Sequence, residues 1–331
     1  MSRKIGSLSV SAIGLGCMNI SAGYGPADES ESEALLHEAL DIGINFLDTA
    51  FVYGAGHSET LIGKSLSAKR DRYVLASKCG LSPQGIDGRP ETIRQQCETS
   101  LQRLQTDVID LYYLHRVDPN VPIEESVGAM SELVRAGKVR EIGLSEVSSD
   151  TLFRAQTVHP VAAVQSEYSL WSRTPEYGML EACQSSGVAF VPFSPLGRGF
   201  LADTASDVTQ LDSKDLRATI ARPRFEPEAF AANEKLLVRF RQIAMDYSCT
   251  TAQLALAWLV NIQDRRLVPI PGTRDSQHMR DNAEAAFIKL DDSTIQTLDA
   301  LINDSVVTGS RYTAERMAEA DSEEDVTSNQ K

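Results

Sequence analysis

Val108-Ile109-Asp110-Leu111-Tyr112-Tyr113-Leu114-His115 is a nearly unbroken apolar run that ends on an imidazole. It lacks the alternation of a strand with one wet face, so it reads as a strand covered on both sides. Upstream, residues 90–104 carry apolar positions at helical spacing behind a leading Pro90, and residues 123–136 repeat that spacing downstream before Gly137. The stretch is therefore one helix–strand–helix step of a parallel sheet wrapped by helices.

The same alternation extends in both directions. Strands are expected at 12–15, 45–47, 73–77, 108–114, 141–144, 163–165, 189–193 and 267–270. Between and after them, helices are expected at 31–41, 58–66, 90–104, 123–136, 149–157, 175–185, 250–260 and 276–285. Gly43, Gly137 and Gly187 each follow a helical stretch, where a left-handed closing residue favours glycine. Eight strand–helix units favour a closed (β/α)8 TIM barrel of the α/β class over a doubly wound open sheet. Three segments lie outside the units: an N-terminal β-hairpin at 4–10 and extra helices at 227–247 and 292–303. One domain is expected over 1–317, followed by an acidic, mobile tail at 318–331.

Composition narrows the function classes. The chain has 331 residues, 32 Lys and Arg against 46 Asp and Glu, and a net charge of −14, with 42% hydrophobic residues. That balance suits a globular protein with a large core and argues against nucleic acid, whose phosphates call for clustered basic residues. The longest uninterrupted apolar run, 254–260, is far below the roughly 20 residues that span a bilayer, and the N-terminus lacks the apolar core of a secretory signal. No membrane partner is expected, and the location read from these features is cytoplasmic. Five scattered cysteines without a Cys-x-x-Cys pair fit reduced thiols, with neither a disulfide framework nor a zinc cluster.

On a barrel of this kind, chemistry gathers at the C-terminal ends of the strands. There Asp48 ends the second strand, Lys78 the third and His115 the fourth, while Tyr53 follows Asp48 in the loop. Each alone has a plainer explanation as a helix cap, a solvated charge or a structural imidazole. Together they form an acid, an amine, a phenol and an imidazole at one mouth. A lysine beside a phenol is expected to lower its pKa from about 10 and make it a proton donor, with Asp48 holding the lysine. His115 would orient a carbonyl oxygen. No strong nucleophile or metal-ligand spacing accompanies them, so hydrolysis and metal chemistry are poorly supported.

These residues stand in a wider pattern. Asp48-Thr49-Ala50-Phe51-Val52-Tyr53-Gly54, the Lys78 strand, Asp110 to Asp118, Gly137 to Ser145 and Pro192 to Gly199 resemble, in this order, the aldo-keto reductase superfamily. The resemblance covers about Ile5 to Asn303. It implies a reductase of aldehydes or ketones in which Tyr53 is the general acid, Lys78 its partner, Asp48 the partner of Lys78, and His115 the carbonyl-orienting group. The hydride would come from C4 of a reduced nicotinamide. A small-molecule carbonyl compound is the implied substrate, its identity unread.

Gly14-Leu15-Gly16 begins like a dinucleotide fingerprint, but Asn19 stands where its third glycine belongs. It reads instead as a tight strand exit, with Cys17 and Met18 implied at the nicotinamide end. Ser194-Pro195-Leu196-Gly197-Arg198-Gly199 is expected to meet a pyrophosphate through glycine N–H groups and the Arg198 charge. Phe193 matches the position that stacks on nicotinamide, commonly tyrosine in the family. Ser145 and Gln165 match the carboxamide contacts, while Glu146 replaces a common asparagine. Gly272, Thr273, Arg274, His278, Asp281 and Asn282 match the adenosine site, and Arg274 beside a helix start favours NADPH over NADH. Tyr24, Phe51, Val52, Tyr168, Trp171 and Phe225, with His115, are expected to wall the substrate pocket, whereas Trp258 reads as core. The competing reading is a cofactor-binding regulatory subunit of the same superfamily with little turnover. The oligomeric state is not legible.

Overall fold

The computed structural model describes residues 1–21, 23–204, 207–262 and 266–322. It opens on an antiparallel hairpin, β1 (Ser2–Ile5) and β2 (Leu8–Ser11), turned at Gly6-Ser7 as expected. The main sheet comprises β3 (Leu15–Gly16), β4 (Phe46–Asp48), β5 (Val74–Cys79), β8 (Ile109–Leu114), β9 (Val139–Ser145), β10 (Ala163–Glu167) and β11 (Ala189–Phe193). All neighbours in it run parallel, in the order β11-β10-β9-β8-β5-β4-β3. A small hairpin, β6 (Leu81–Ser82) with β7 (Gly85–Ile86), follows β5.

Residues 267–271 supply the eighth stave, with a proline signature. Alternate residues of a parallel strand bond to opposite neighbours. Val268 and Ile270 donate to Phe190 O (2.9 Å) and Pro192 O (3.1 Å) of β11. Pro269 and Pro271 face β3, have no N–H to give, and only accept, from Gly14 N at 2.9 Å and Gly16 N at 3.1 Å. The barrel thus closes through carbonyls alone on that side. Gly16 permits the approach: a Cβ there would lie 2.8 Å from Ile270 O. Gly14 and Gly16 serve this closure, in line with reading them as a strand exit.

Two apolar layers follow from the alternation of side chains. Phe46, Ala76, Leu111, Tyr113, Ala163, Val191, Val268 and Ile270 fill the barrel interior, and Ile5, Leu8 and Val10 of the hairpin plug its N-terminal end. Leu47, Leu75, Tyr112, Leu144, Val164 and Phe190 point outward under the helices. Trp258 is fully buried there and donates to Asp299 at 3.0 Å, as its core reading requires.

Some boundaries differ. The helix expected at 175–185 is a 3-10 turn, Thr174–Tyr177, followed by Met179–Ser186, because Gly178 at φ 153 breaks the helical geometry. The extra helix at 227–247 is two, Pro227–Glu234 and Leu237–Asp246. Of the tail expected to be mobile from 318, the first five residues are placed. Asp321 N donates to Glu146 O (3.0 Å), Ser148 N donates to Asp321 (3.2 Å) and Ser322 Oγ donates to Glu146 (3.0 Å), so residues 318–322 are tied to the barrel. The remainder, 323–331, lies outside the described residues. Among the described residues, no helix is long and apolar enough to cross a membrane.

Candidate active site

At the C-terminal mouth of the barrel, β4 and β5 bring two charges together beneath a phenol. Lys78 Nζ donates to Asp48 Oδ1 at 2.5 Å, to Thr49 O at 2.8 Å and to Tyr53 Oη at 3.3 Å. Gln165 Nε2 on β10 donates to the other Asp48 oxygen at 2.8 Å. Lys78 and Asp48 are buried, and each would be expensive to desolvate without the other. The His115 ring stands edge-on to Tyr53, 6.0 Å between centroids. The four residues singled out in the sequence are one cluster.

Its electrostatics depart from expectation in one respect. Burial pushes the Tyr53 phenol above its ordinary value; Lys78 pulls it down but Asp48 pushes it back up, so the expected lowering is not the net result. The phenol is held protonated near neutral pH, as a donor must be. Burial would lower Lys78, yet Asp48 and Tyr53 raise it overall, so the amine keeps its charge. Burial, then the Arg116 and Lys78 charges, hold His115 well below its ordinary range, and the imidazole is neutral. Its Nδ1 is buried without a hydrogen-bond partner among the described residues.

The loop carrying Tyr53 is unusual. Gly54 (φ 57), Ala55 (φ 54) and Gly56 (φ 97) are successive left-handed residues, a strained run outside glycine. Arg103, at the end of the helix Pro90–Leu104, braces it. Its guanidinium stacks on the Phe51 ring at 4.5 Å and donates to Phe51 O (3.2 Å) and to buried Glu59 (3.1 Å). Glu59 in turn accepts from Ser77 Oγ, next to Lys78, at 2.6 Å. This brace escaped the sequence reading because Glu59 and Arg103 are 44 residues apart.

A cavity of about 790 Å³ runs from this cluster to the start of the helix Ser276–Glu284. It is lined by the expected Cys17, Met18, Asp48, Tyr53, His115, Ser145, Gln165, Phe193, Ser194, Pro195, Leu196, Arg198, Gly199, Gly272, Thr273, Arg274, His278, Asp281 and Asn282, and by Tyr24 and Val52. Arg116, Arg217, Tyr312 and Arg316 also line it and were not anticipated. Tyr312 and Arg316 come from beyond the last barrel helix, where no motif marks them.

Several expectations are corrected. Gly197 lies behind the lining, its α-carbon turned to Trp171. Phe51 faces Arg103 instead of the cavity. Tyr168 is buried against Phe190 and Trp258, its hydroxyl donating to Glu176 at 2.6 Å. Trp171 stacks on Phe200 at 4.1 Å and meets Phe225 at 5.5 Å, an aromatic cluster outside the cavity. Aromatic content near a barrel mouth does not reveal which face a ring takes. Arg198 is buried against Glu167 at 2.6 Å and stacks on Tyr312 at 4.9 Å, so its charge is already neutralised. Gly197 N and Gly199 N donate to Ser194 O and Leu196 O within their own loop and are not free for a phosphate. Glu146, left-handed at φ 53, turns away from the cavity to pair with Arg311.

The residues present suit an elongated anionic cofactor. At the outer end, Arg274 donates among the described residues only to carbonyls, Tyr24 O (3.0 Å) and Pro26 O, and keeps its charge for an anion. At the inner end, Gln165, Ser145 and His115 offer polar groups beside Phe193. The volume lies within the roughly 300–1,000 Å³ of small-molecule sites. Among the described residues, no group of three or more His, Cys, Asp or Glu is placed to hold a metal ion.

The profile of the Aldo/keto reductase family matches residues 12–303. A curated protein from Glycine max, "Probable aldo-keto reductase 1", is 40% identical over 318 residues, covering 93% of this chain and 91% of that protein. The glycerol dehydrogenase AKR11B4 from Gluconobacter oxydans superposes with a TM-score of 0.82 at 27% identity, over 91% of this chain and 94% of that one. An aldo/keto reductase from Klebsiella pneumoniae, solved with NADP and acetate, superposes with a TM-score of 0.72 at 30% identity, over 89% and 92%.

Proposed function

The chain belongs to the aldo/keto reductase family and is an NAD(P)H-dependent oxidoreductase, and on that premise we propose that it is an NADPH-dependent reductase of aldehydes or ketones with Tyr53 as general acid. The observation that carries the reading is the Asp48–Lys78–Tyr53 chain beside a neutral His115. A reduced nicotinamide, when bound, supplies the hydride that the carbonyl carbon receives. Tyr53 Oη delivers the proton to the carbonyl oxygen, and charged Lys78, 3.3 Å away, stabilises the phenolate left behind. Asp48 keeps Lys78 charged and aimed. Neutral His115 holds the carbonyl oxygen without competing as an acid.

For the cofactor, Ser145, Gln165 and Phe193 would hold the nicotinamide end, and Thr273, Arg274, His278, Asp281 and Asn282 the adenosine end. The Ser194 to Gly199 loop would meet the pyrophosphate without the Arg198 charge and without the Gly197 and Gly199 N–H groups, which are spent within the loop. Titration with NADPH and NADH tests this reading. NADPH should bind at least tenfold tighter, and Arg274→Ala should remove most of that margin, since a charge-assisted contact is roughly twice a neutral one. Equal affinities in the unaltered protein would remove the 2′-phosphate assignment.

A further inference from the structure

The arginines lining the cavity differ in one respect, and the difference bears on the substrate. Arg198 is paired with Glu167 (2.6 Å), Arg217 with Asp215 (2.8 Å) and Arg316 with Glu319 (2.6 Å). Arg274 and Arg116 have no carboxylate within 4.0 Å among the described residues and donate only to neutral oxygens. These two stand at opposite ends. Arg274 is at the adenosine end, where the reading above gives it a phosphate. Arg116 follows His115 directly, donating to His115 O at 2.6 Å and Ser145 Oγ at 3.3 Å.

Arg116 is half-buried, on a wall of the cavity next to the group that orients the carbonyl. Arg116 acts on the buried Glu146 carboxylate through its charge without an ion pair, and that carboxylate is bonded to Arg311, Ser322 Oγ and Glu167 N. A guanidinium left with free donors in a shielded site is a receptor for a planar anion, which it can engage through two parallel N–H groups. We propose that Arg116 selects carbonyl substrates bearing a carboxylate, so that the enzyme reduces oxo acids in preference to neutral aldehydes of the same shape. The proposal rests on the reductase reading and deepens it. Binding the remote carboxylate also orients the carbonyl between Tyr53 and His115, so the preference falls on kcat/KM.

The test compares 4-carboxybenzaldehyde with methyl 4-formylbenzoate, using full-length protein and NADPH. The acid should exceed the ester in kcat/KM by on the order of tenfold or more. In Arg116→Gln the acid-to-ester ratio should fall to near one, and Arg116→Lys should regain part of it. Equal use of acid and ester by the unaltered protein, or an undiminished ratio in Arg116→Gln, would overturn the proposal. A second readout needs no turnover. Benzoate should raise the melting temperature of the NADPH-loaded protein more than benzamide does, and the difference should vanish in Arg116→Gln; equal shifts in the unaltered protein, or an undiminished difference in Arg116→Gln, would overturn the proposal. If neither aldehyde is reduced, the reductase reading fails, and the benzoate comparison still decides Arg116.

Discussion

Tyr53 carries opposing influences that an accounting of neighbours resolves. Burial and Asp48 raise its pKa, Lys78 lowers it, and the net direction is upward. In the cofactor-free protein the phenol should therefore titrate above its ordinary value of about 10. The tyrosinate absorbance difference between wild type and Tyr53→Phe measures this, and a midpoint below about 10 would show that the lysine dominates. His115 bears on the same pH range. Its depressed pKa leaves the imidazole neutral through the neutral range, so no loss of orientation is expected on going from pH 7 to pH 8. At this scale the residue types at the strand ends were legible, because Asp48, Lys78 and His115 each follow an apolar run. The partner of Arg198 was not, because Glu167 lies 31 residues away on another strand.

Among the elements, the end of the helix Pro90–Leu104 does more than cover the sheet. Arg103 links the loop of Tyr53 to Glu59 and, through Ser77, to the strand of Lys78. Lysine at this position would keep a charge for Glu59 but lose the planar stack on Phe51 and the fork of donors. Arg103→Lys is expected to fold, to bind NADPH with unchanged Kd, and to lose on the order of tenfold in kcat through misplacement of Tyr53. An unchanged kcat would make the brace purely structural. The strands were readable as runs, 12–15 and 267–270 included, whereas the way the closing pair meets was not. β3 has two residues, and the eighth stave holds Pro269 and Pro271, so neither carries a full ladder. Their pairing depends on Gly16 lying against Ile270 O, a contact without a local signal.

In the whole molecule, one chain segment returns from beyond the barrel to close the cavity. Residues 311–322 dock through Glu146, whose carboxyl burial would raise; Arg311, Arg116 and Glu167 N outweigh burial and hold it at about 2. A carboxyl depressed in the folded state contributes stability that is present above its unfolded pKa of about 4.5 and is lost as pH falls towards about 2. Over that window the wild type should lose about 3 kcal/mol more unfolding free energy than Glu146→Gln, and parallel urea curves would contradict the docking role. The net charge of −14 says little of the cavity, where Arg274 and Arg116 pair with no carboxylate among the described residues. In the proposed reaction a tyrosine held by a buried lysine protonates the carbonyl. That step is tested most directly by single-turnover oxidation of bound NADPH with an aldehyde in wild type and Tyr53→Phe, with NADPH binding measured on the same samples. Unchanged binding and a rate lowered by about 10²-fold or more are expected. Equal rates at equal NADPH occupancy would contradict that step.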